Sequence, residues 1–247
     1  MKIAVISDIH GNMQALQAVM RNIKLHRCDK IIALGDYAMA GPQPVETVDW
    51  FINAKEEQGL ILIQGNTDKL IAEYEEGIYQ AVKSKYPIMA DALKNDVELL
   101  NWRHKDFLRS LPNQLNLEFE GVKVLLVHGS PRKNNEDILP DTPMEVVEEM
   151  IKDTNADVIL CGHTHIPCGF QTHTRKTVLN VGSVGRPFTP EPKACYLVLT
   201  LENGKFMVQH NFVEYDNEQA AKILRERDFE HADTLADILI TPDKRHA

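Results

Sequence analysis

Carboxylate, amide and imidazole side chains recur in this sequence at short spacings and beside glycine. They form five motifs, which are Asp8-x-His10, Gly35-Asp36, Gly65-Asn66, His128-Gly129 and Gly162-His163-x-His165. Carboxylate oxygens are hard ligands and imidazole nitrogens are borderline ligands, a combination that suits manganese, iron, nickel or zinc. The adjacent glycines let the backbone turn close to a site. The motifs therefore predict a site for divalent metal ions.

The number of candidate ligands indicates how many ions such a site would hold. The five motifs supply seven candidate side chains, whereas one tetrahedral zinc ion takes four ligands. Seven ligands fit two divalent ions about 3.5–4 Å apart that share a bridging carboxylate. A single D-x-H tripeptide would be weak support, so the prediction depends on all five motifs lying together.

Each motif comes directly after a short apolar run, which is the element that would position it. The runs are residues 3–6, 30–34, 60–63, 123–127 and 156–160. Such runs, separated by segments of helical periodicity, predict buried strands of a parallel or mixed sheet. Ligands bind at the carboxyl ends of strands in open α/β sheets, so we expect the motifs to meet there. An extended turn would aim both Asp8 and His10 at one point.

Other segments break this alternation. Residues 69–112 are charged and mostly helical in pattern, over 70–81 and 88–111, and predict a helical cap-like insertion over the site; two ordinary crossover helices are the alternative. Its aromatic residues would form a lid for a nucleobase or the insertion's own core. Later, two antiparallel hairpins are expected, the second around Asn203-Gly204. A helix over 218–227 and a charged tail complete one domain, 1–247.

Composition limits the classes of protein that fit. The chain has 247 residues, of which 43% are hydrophobic and 26% charged, as in an ordinary globular protein. No apolar run reaches the roughly 20 residues of a membrane helix, and no signal peptide is visible. Four cysteines without C-x-x-C spacing fit a reducing cytoplasm. The net charge of −9 disfavours nucleic acid as a partner, although bound cations would reverse the sign locally.

The order of the five motifs resembles the calcineurin-like metallophosphoesterases, and within them the small bacterial and archaeal phosphodiesterase branch. The resemblance extends from residue 1 to about residue 213. It implies an α/β fold, a βαβ sandwich of mixed sheets flanked by helices. It also implies a set of ligands: Asp8, His10 and His165 for the first metal ion, Asn66, His128 and His163 for the second, and Asp36 between them.

The resemblance further implies a dinuclear-metal hydrolase of phosphoesters, in which a hydroxide held between the ions attacks phosphorus. Its catalytic residues would be Asp36, Asn66, His128, Thr67 and Arg186. Arg186 would contact phosphate through both guanidinium nitrogens, or would form a surface salt bridge. The substrate would be a small phosphate ester, with a nucleotide among the candidates, and a homo-oligomer stays open.

Thr67 departs from the family pattern, because many members carry a histidine there that assists the leaving group. A threonine hydroxyl does not titrate near neutrality and is a poor general acid. This favours diesters or anhydrides over alkyl monoesters, unless the insertion supplies a donor. His104 is the histidine of the insertion, and we expect it to be a solvent-exposed helix residue rather than that donor.

The sequence leaves two alternative functions open. A phosphomonoesterase, including a protein phosphatase, would share the metal site, although Thr67 counts against it. The same fold serves as a non-catalytic scaffold in the retromer complex, where ligand positions have decayed, whereas here all are filled. Cys161 and Cys168 flank one histidine motif, but their spacing does not suit a closed structural zinc site.

Overall fold

Two mixed five-stranded sheets form the centre of the molecule in the computed structural model, which describes residues 1–241. The first sheet has the order β10-β9-β1-β2-β3, with β1 (Lys2–Ile6), β2 (Lys30–Ala33), β3 (Ile61–Leu62), β9 (Ala194–Glu202) and β10 (Lys205–Val213). The second has the order β4-β5-β6-β8-β7, with β4 (Gln114–Phe119), β5 (Val122–Val127), β6 (Val158–Cys161), β7 (Cys168–Gln171) and β8 (Thr177–Asn180).

Helices cover the outer faces of this sandwich. They are α1 (Met13–His26), α2 (Pro44–Gln58), α3 (Asn66–Ala72), α4 (Glu76–Lys85), α5 (Pro87–Leu99), α6 (Trp102–Ser110), α7 (Met144–Ile151), α8 (Asn217–Arg225) and α9 (Ala232–Ile240). The predicted fold class, mixed sheets flanked by helices, is confirmed. None of the helices in the described residues is both long and apolar enough to cross a membrane.

Strand β1 explains how the layers are held together. Its side chains alternate between the two faces of the first sheet, as in any strand. Ile3 and Val5 join a buried cluster that includes Val124 of the second sheet. Ala4 and Ile6 face the other way, into a cluster with the apolar face of α1. Both faces are therefore buried, which accounts for the continuous apolar run in the sequence.

The register of the strands brings the motifs to one edge. Strands β1, β2 and β3 are parallel to one another, as are β5, β6 and β8. Their carboxyl ends consequently lie at the same edge of each sheet. The predicted hairpin between β9 and β10 is also present, and Asn203 and Gly204 have φ angles of 52° and 72°, as a tight hairpin turn requires.

The segment 69–112 contains more helices than its periodicity predicted. Helices α3 to α6 occupy it, and the break between α4 and α5 falls at Pro87, which a helix accepts only in its first turn. The side chain of Asn101 caps α6 by accepting hydrogen bonds from the backbone N–H groups of Arg103 and His104. Helices α5 and α6 pack against α2 and α3.

The expectation of a charged tail after residue 227 is wrong for residues 232–240, which form α9. Leu235, Ile238 and Leu239 are buried, and the helix packs against α8. Hydrophobic residues on one face of a short helix are easily missed beside a charged terminus. The remainder of the predicted tail, residues 242–247, lies outside the described residues.

A buried ion pair attaches the C-terminal segment to the body of the protein. Arg227 follows α8, and its guanidinium contacts the carboxylate of Asp96, a fully buried residue of α5. The other oxygen of Asp96 accepts a 2.7 Å hydrogen bond from the backbone N–H of Met39. Arg227 also donates to the carbonyl of Gly41. The ion pair thus fixes the position of the loop between β2 and α2.

We predict that Arg227→Ala lowers the free energy of unfolding by about 3 kcal/mol or more, because the buried carboxyl group of Asp96 would lose its cation. Arg225→Ala is the matched control, since Arg225 forms only exposed ion pairs with Asp233 and Asp237. Arg225→Ala should lower the free energy of unfolding by about 1 kcal/mol or less. Urea denaturation of both variants measures the difference. Equal losses would mean that the buried pair contributes no more than a surface pair.

Candidate metal centre

The backbone takes an unusual conformation at the predicted ligands. Five of them have a φ angle in the left-handed region: 55° at Asp8, 47° at His10, 57° at Asp36, 68° at His163 and 61° at His165. Side chains other than glycine rarely adopt this region, and each instance costs about 1–3 kcal/mol. The extended turn expected for Asp8 and His10 is therefore wrong.

Hydrogen bonds between the strand ends hold this strained backbone in place. The N–H of Asp8 donates to the carbonyl of Gly35 at 3.0 Å, and the N–H of His10 donates to the carbonyl of Asp36 at 2.9 Å. The turn after β1 is thus bonded along its length to the turn after β2. Left-handed residues bend the chain sharply enough to point successive side chains into the same space.

Two overlapping groups of potential ligand atoms result. Asp8, His10 and His165 form one group, in which Asp8 Oδ1 lies 3.2 Å from His165 Nε2 and 3.9 Å from His10 Nε2. Asp8, Asp36 and His128 form the other, in which His128 Nε2 lies 3.4 Å from Asp36 Oδ2. All five residues are buried. Because the groups share Asp8, they form one continuous cluster.

The histidines are oriented by the backbone. Nδ1 of His10 lies 2.9 Å from the carbonyl of Met39, Nδ1 of His128 lies 2.8 Å from that of Leu34, and Nδ1 of His165 lies 2.7 Å from that of Arg186. A carbonyl only accepts hydrogen bonds, so each ring donates from Nδ1. In the neutral rings, Nε2 then carries a lone pair directed into the cluster, as metal-binding histidines require.

These residues fit a divalent cation on the geometry alone. Nε2 of His10 and Nε2 of His165 are 3.1 Å apart, although both are acceptors in their neutral forms. Oδ1 of Asp8 is buried and has no hydrogen-bond partner. Buried polar atoms almost always have a partner, and opposed acceptors need a positive charge between them. A metal ion would satisfy all three atoms at once.

Burial and neighbouring charges displace the pKa values of the cluster from their usual ranges. Burial raises the pKa of Asp8, but the charges of His165 and His128 outweigh it and lower the pKa to about 2. Burial lowers the pKa of His128, but the carboxylates of Asp36 and Asp8 raise it to about 10. Burial and the neighbouring His165 lower the pKa of His10 to about 4. Metal binding would replace the proton that the carboxylates attract to His128.

Asp36 lies between the two sides of the cluster. Its Oδ2 is 3.7 Å from His10 Nε2 and 3.4 Å from His128 Nε2. Its Oδ1 accepts a 2.9 Å hydrogen bond from the backbone N–H of Thr67. Oδ1 of Asn66 is 2.9 Å from His128 Nε2, which places this amide oxygen beside the second group. Asp36 and Asn66 therefore both lie beside His128, and their roles as ligands stay predictions.

His163 is arranged differently from the other candidate ligands. Its Nε2 is 3.2 Å from a carboxylate oxygen of Asp137, an exposed residue, and its ring packs edge-on against His128 with the ring centroids 5.4 Å apart. Its backbone N–H donates to Asp8 Oδ2 at 3.0 Å. The structure therefore places His163 beside the cluster, with its imidazole directed to Asp137. Its role as a ligand stays a prediction.

Asp68 and two glycines support the ligands. Asp68 is buried, and its carboxylate accepts hydrogen bonds from the backbone N–H groups of Asp36, Tyr37 and Gly65. It therefore ties the turn after β2 to the turn after β3. A Cβ at Gly65 would overlap Asp36, and a Cβ at Gly162 would overlap Ser7 and Asp8. Only glycine permits these close approaches.

The structure gives Arg186 an unusual environment. The described residues place no carboxylate within 4.0 Å of its guanidinium, and Nη1 instead contacts the sulfur of Met89 at 3.3 Å. Burial lowers its pKa to about 10. The surface salt bridge considered as an alternative is therefore wrong. A partly buried guanidinium without a carboxylate, on the residue whose carbonyl orients His165, is suited to an anionic ligand.

We expected His104 to lie on an exposed helix face, and this prediction is wrong. It is buried, with only 3% of its surface exposed. Its Nδ1 accepts a hydrogen bond from the N–H of Asn101, and its Nε2 is 3.1 Å from Asp49 of α2. Both ring nitrogens are thus engaged at the start of α6 and against α2. This arrangement explains the burial as helix capping and packing.

Some groups that orient the candidate ligands could not be recognised from the sequence. The carbonyls of Leu34, Met39 and Arg186 orient the histidines, but a carbonyl belongs to every residue type. The ion pair of Asp96 and Arg227 acts through the N–H of Met39, whose carbonyl bonds to His10. Within residues 1–241, the clusters of potential ligands include no cysteine, so a zinc site at Cys161 and Cys168 finds no support.

We predict that a saturating concentration of Mn²⁺ raises the melting temperature of the protein by about 5–10 °C, because the ion binds the folded cluster and not the unfolded chain. Asp8→Asn should abolish most of this shift. Asp153→Asn, an exposed carboxylate at the end of α7, should retain it. Differential scanning fluorimetry with and without metal provides the measurement. An equal shift in both variants would exclude the cluster as the binding site.

Comparison with known proteins agrees with this geometry. Residues 1–204 match the calcineurin-like phosphoesterase superfamily domain. An uncharacterised protein of Methanocaldococcus jannaschii is 30% identical over 242 residues, which cover 91% of this chain and 93% of that protein.

Two solved structures have a similar fold. A metallophosphoesterase from Sphaerobacter thermophilus has a TM-score of 0.76, and a hypothetical protein from Pyrococcus horikoshii has a TM-score of 0.85. Each is 24% identical to this chain, with 97% of this chain and 98% of the other covered. With a sequence match across most of its length and the buried cluster of aspartates and histidines at the strand ends, the protein belongs to the calcineurin-like phosphoesterase superfamily.

Proposed function

We propose that the protein is a dinuclear-metal phosphodiesterase. The observation that carries this proposal is the pair of overlapping ligand groups, which share Asp8 and have Asp36 between His10 and His128. In this assignment Asp8, His10 and His165 hold one divalent ion, Asn66, His128 and His163 hold the other, and Asp36 serves both. Asn66 contributes a neutral oxygen, which preserves more of the positive charge for the substrate.

The two ions would act as Lewis acids and lower the pKa of bound water to about 7. The residues of the chain supply the rest. The buried carboxylates and imidazoles fix the ligand positions before substrate arrives, so little reorganisation accompanies the reaction. Arg186 would contact two oxygens of the scissile phosphate and neutralise the charge that develops there. Its carbonyl simultaneously orients His165.

The environment of Thr67 supports a preference for diesters. Its N–H donates to Asp36, and its hydroxyl donates to the carbonyl of Ala38 at 3.3 Å. The hydroxyl proton is therefore engaged by a backbone carbonyl, and Thr67 positions Asp36 rather than protonating a leaving group. Without an acid at this place, alkoxide leaving groups depart slowly. Aryl diesters and anhydrides, whose leaving groups are stable anions, need less assistance.

We predict metal-dependent hydrolysis of bis-p-nitrophenyl phosphate, with glycerol 2-phosphate cleaved at least about tenfold more slowly, because the alkoxide leaving group of this monoester needs an acid. Release of p-nitrophenol from the diester and of inorganic phosphate from the monoester, by metal-stripped protein resupplied with manganese, nickel or zinc, provides the measurement. Asp36→Asn should remove the activity, because it weakens the ligand that serves both ions. Preferential cleavage of the monoester would overturn the interpretation of Thr67 and favour a phosphomonoesterase.

We also predict that Arg186→Met lowers kcat/KM for bis-p-nitrophenyl phosphate by about 100-fold, through loss of a charge-assisted contact made in the transition state. Arg103→Met, an exposed residue of α6, is the matched control and should leave the rate unchanged. Metal content should be equal in both variants, since the carbonyl at position 186 remains. A rate loss that follows metal content would show that Arg186 acts only through His165.

A further inference from the structure

A cavity of about 470 Å³ opens beside the metal cluster on the side of His128. It lies between α3, the segment that precedes β4, and the loop that follows β5. Besides His128, its lining includes Lys69, Asn113, Gln114, Arg132 and Lys133. We refer to it as the cationic cavity. Because His128 belongs to the metal cluster, a ligand in this cavity would be continuous with one bound at the metals.

The charge of the cationic cavity is opposite to that of the protein. Three of its lining residues are cations and none is a carboxylate, in a chain with a net charge of −9. Arg132 is paired with Glu136, and Lys69 is 4.0 Å from Glu73. Lys133 forms no ion pair within 4.0 Å among residues 1–241, although its charge acts at longer range on Glu136. A concave, positively charged surface attracts and concentrates anions.

The polar character of the lining narrows the ligand class. Asn113, Gln114 and Asn134 contribute amide groups that can donate hydrogen bonds, and no aromatic residue takes part. A nucleobase lid would need aromatic faces, but Tyr86 and Trp102 of the insertion are 64% and 79% exposed and do not line the cavity. Lysine ammonium groups with amide donors are suited to phosphate oxygens rather than to a base.

We propose that the cationic cavity binds a second phosphate group of the substrate, in addition to the phosphate that is cleaved. This inference rests on the proposed function for the place of the scissile group. The backbone carbonyl of Arg186 meets the cluster at His165, whereas the cavity meets it at His128. The substrate would extend from Arg186, across the metal cluster, to Lys69 and Lys133. Its class is a phosphoester that carries a further phosphate on a short linker.

Binding of simple probes tests this site independently of turnover. Isothermal titration with Mn²⁺ present compares alkanediol bisphosphates of three to six carbons with the matching alkyl monophosphates. We expect at least one bisphosphate to bind tenfold or more tightly than its monophosphate. Lys133→Gln and Lys69→Gln should each reduce that preference about three- to tenfold, as expected for loss of one charged contact. Titration of the probes into Mn²⁺ alone corrects for binding to free metal.

Lys24→Gln is the matched control, because Lys24 is an exposed residue in the last turn of α1, at the opposite edge of the sheet. It should retain the full preference. Equal binding of bisphosphates and monophosphates, or equal effects of all three substitutions, would overturn the proposal. A bisphosphate preference that disappears in Lys133→Gln, without any hydrolysis of bis-p-nitrophenyl phosphate, would support the cavity and contradict the phosphodiesterase. Hydrolysis of bis-p-nitrophenyl phosphate without a preference for bisphosphates would support the phosphodiesterase and contradict the proposed role of the cavity.

Discussion

The structure is organised around buried hydrogen-bond acceptors that face one another. The Nε2 atoms of His10 and His165 face one another at 3.1 Å, and Asp8 Oδ1 lies beside them without a partner. Such an arrangement is unfavourable in a folded protein unless a positive charge enters it. Much of the surrounding architecture serves to keep these atoms together. The parallel strands deliver them to one edge, and backbone carbonyls fix the ring orientations.

Keeping these acceptor atoms together requires a strained backbone and hydrogen bonds that hold that backbone in place. Left-handed residues at Asp8, His10 and Asp36 each cost about 1–3 kcal/mol and persist because hydrogen bonds surround them. Asp68 bonds to the turns after β2 and β3. Further out, the pair of Asp96 and Arg227 acts on Met39, the residue that orients His10. The C-terminal segment therefore supports the metal cluster although it contributes no ligand.

The sequence revealed the parts of this account that depend on side-chain identity. Apolar runs identified the strands, and the histidines and aspartates after them identified the edge at which they meet. The left-handed turns were missed because local sequence does not distinguish them from extended ones. His104 was misjudged because its burial depends on Asp49 of a distant helix. The cationic cavity was invisible because Lys69 and Lys133 are far apart in the chain.

We propose that the buried cluster holds two cations that share a carboxylate. Anomalous diffraction from manganese-loaded crystals tests it most directly. We expect two manganese peaks about 3.5–4 Å apart, with Asp36 within bonding distance of both. We also expect the imidazole of His163 to turn from Asp137 to one of the ions. A single peak, or two ions bound elsewhere with the Nε2 atoms of His10 and His165 still opposed, would contradict a dinuclear site.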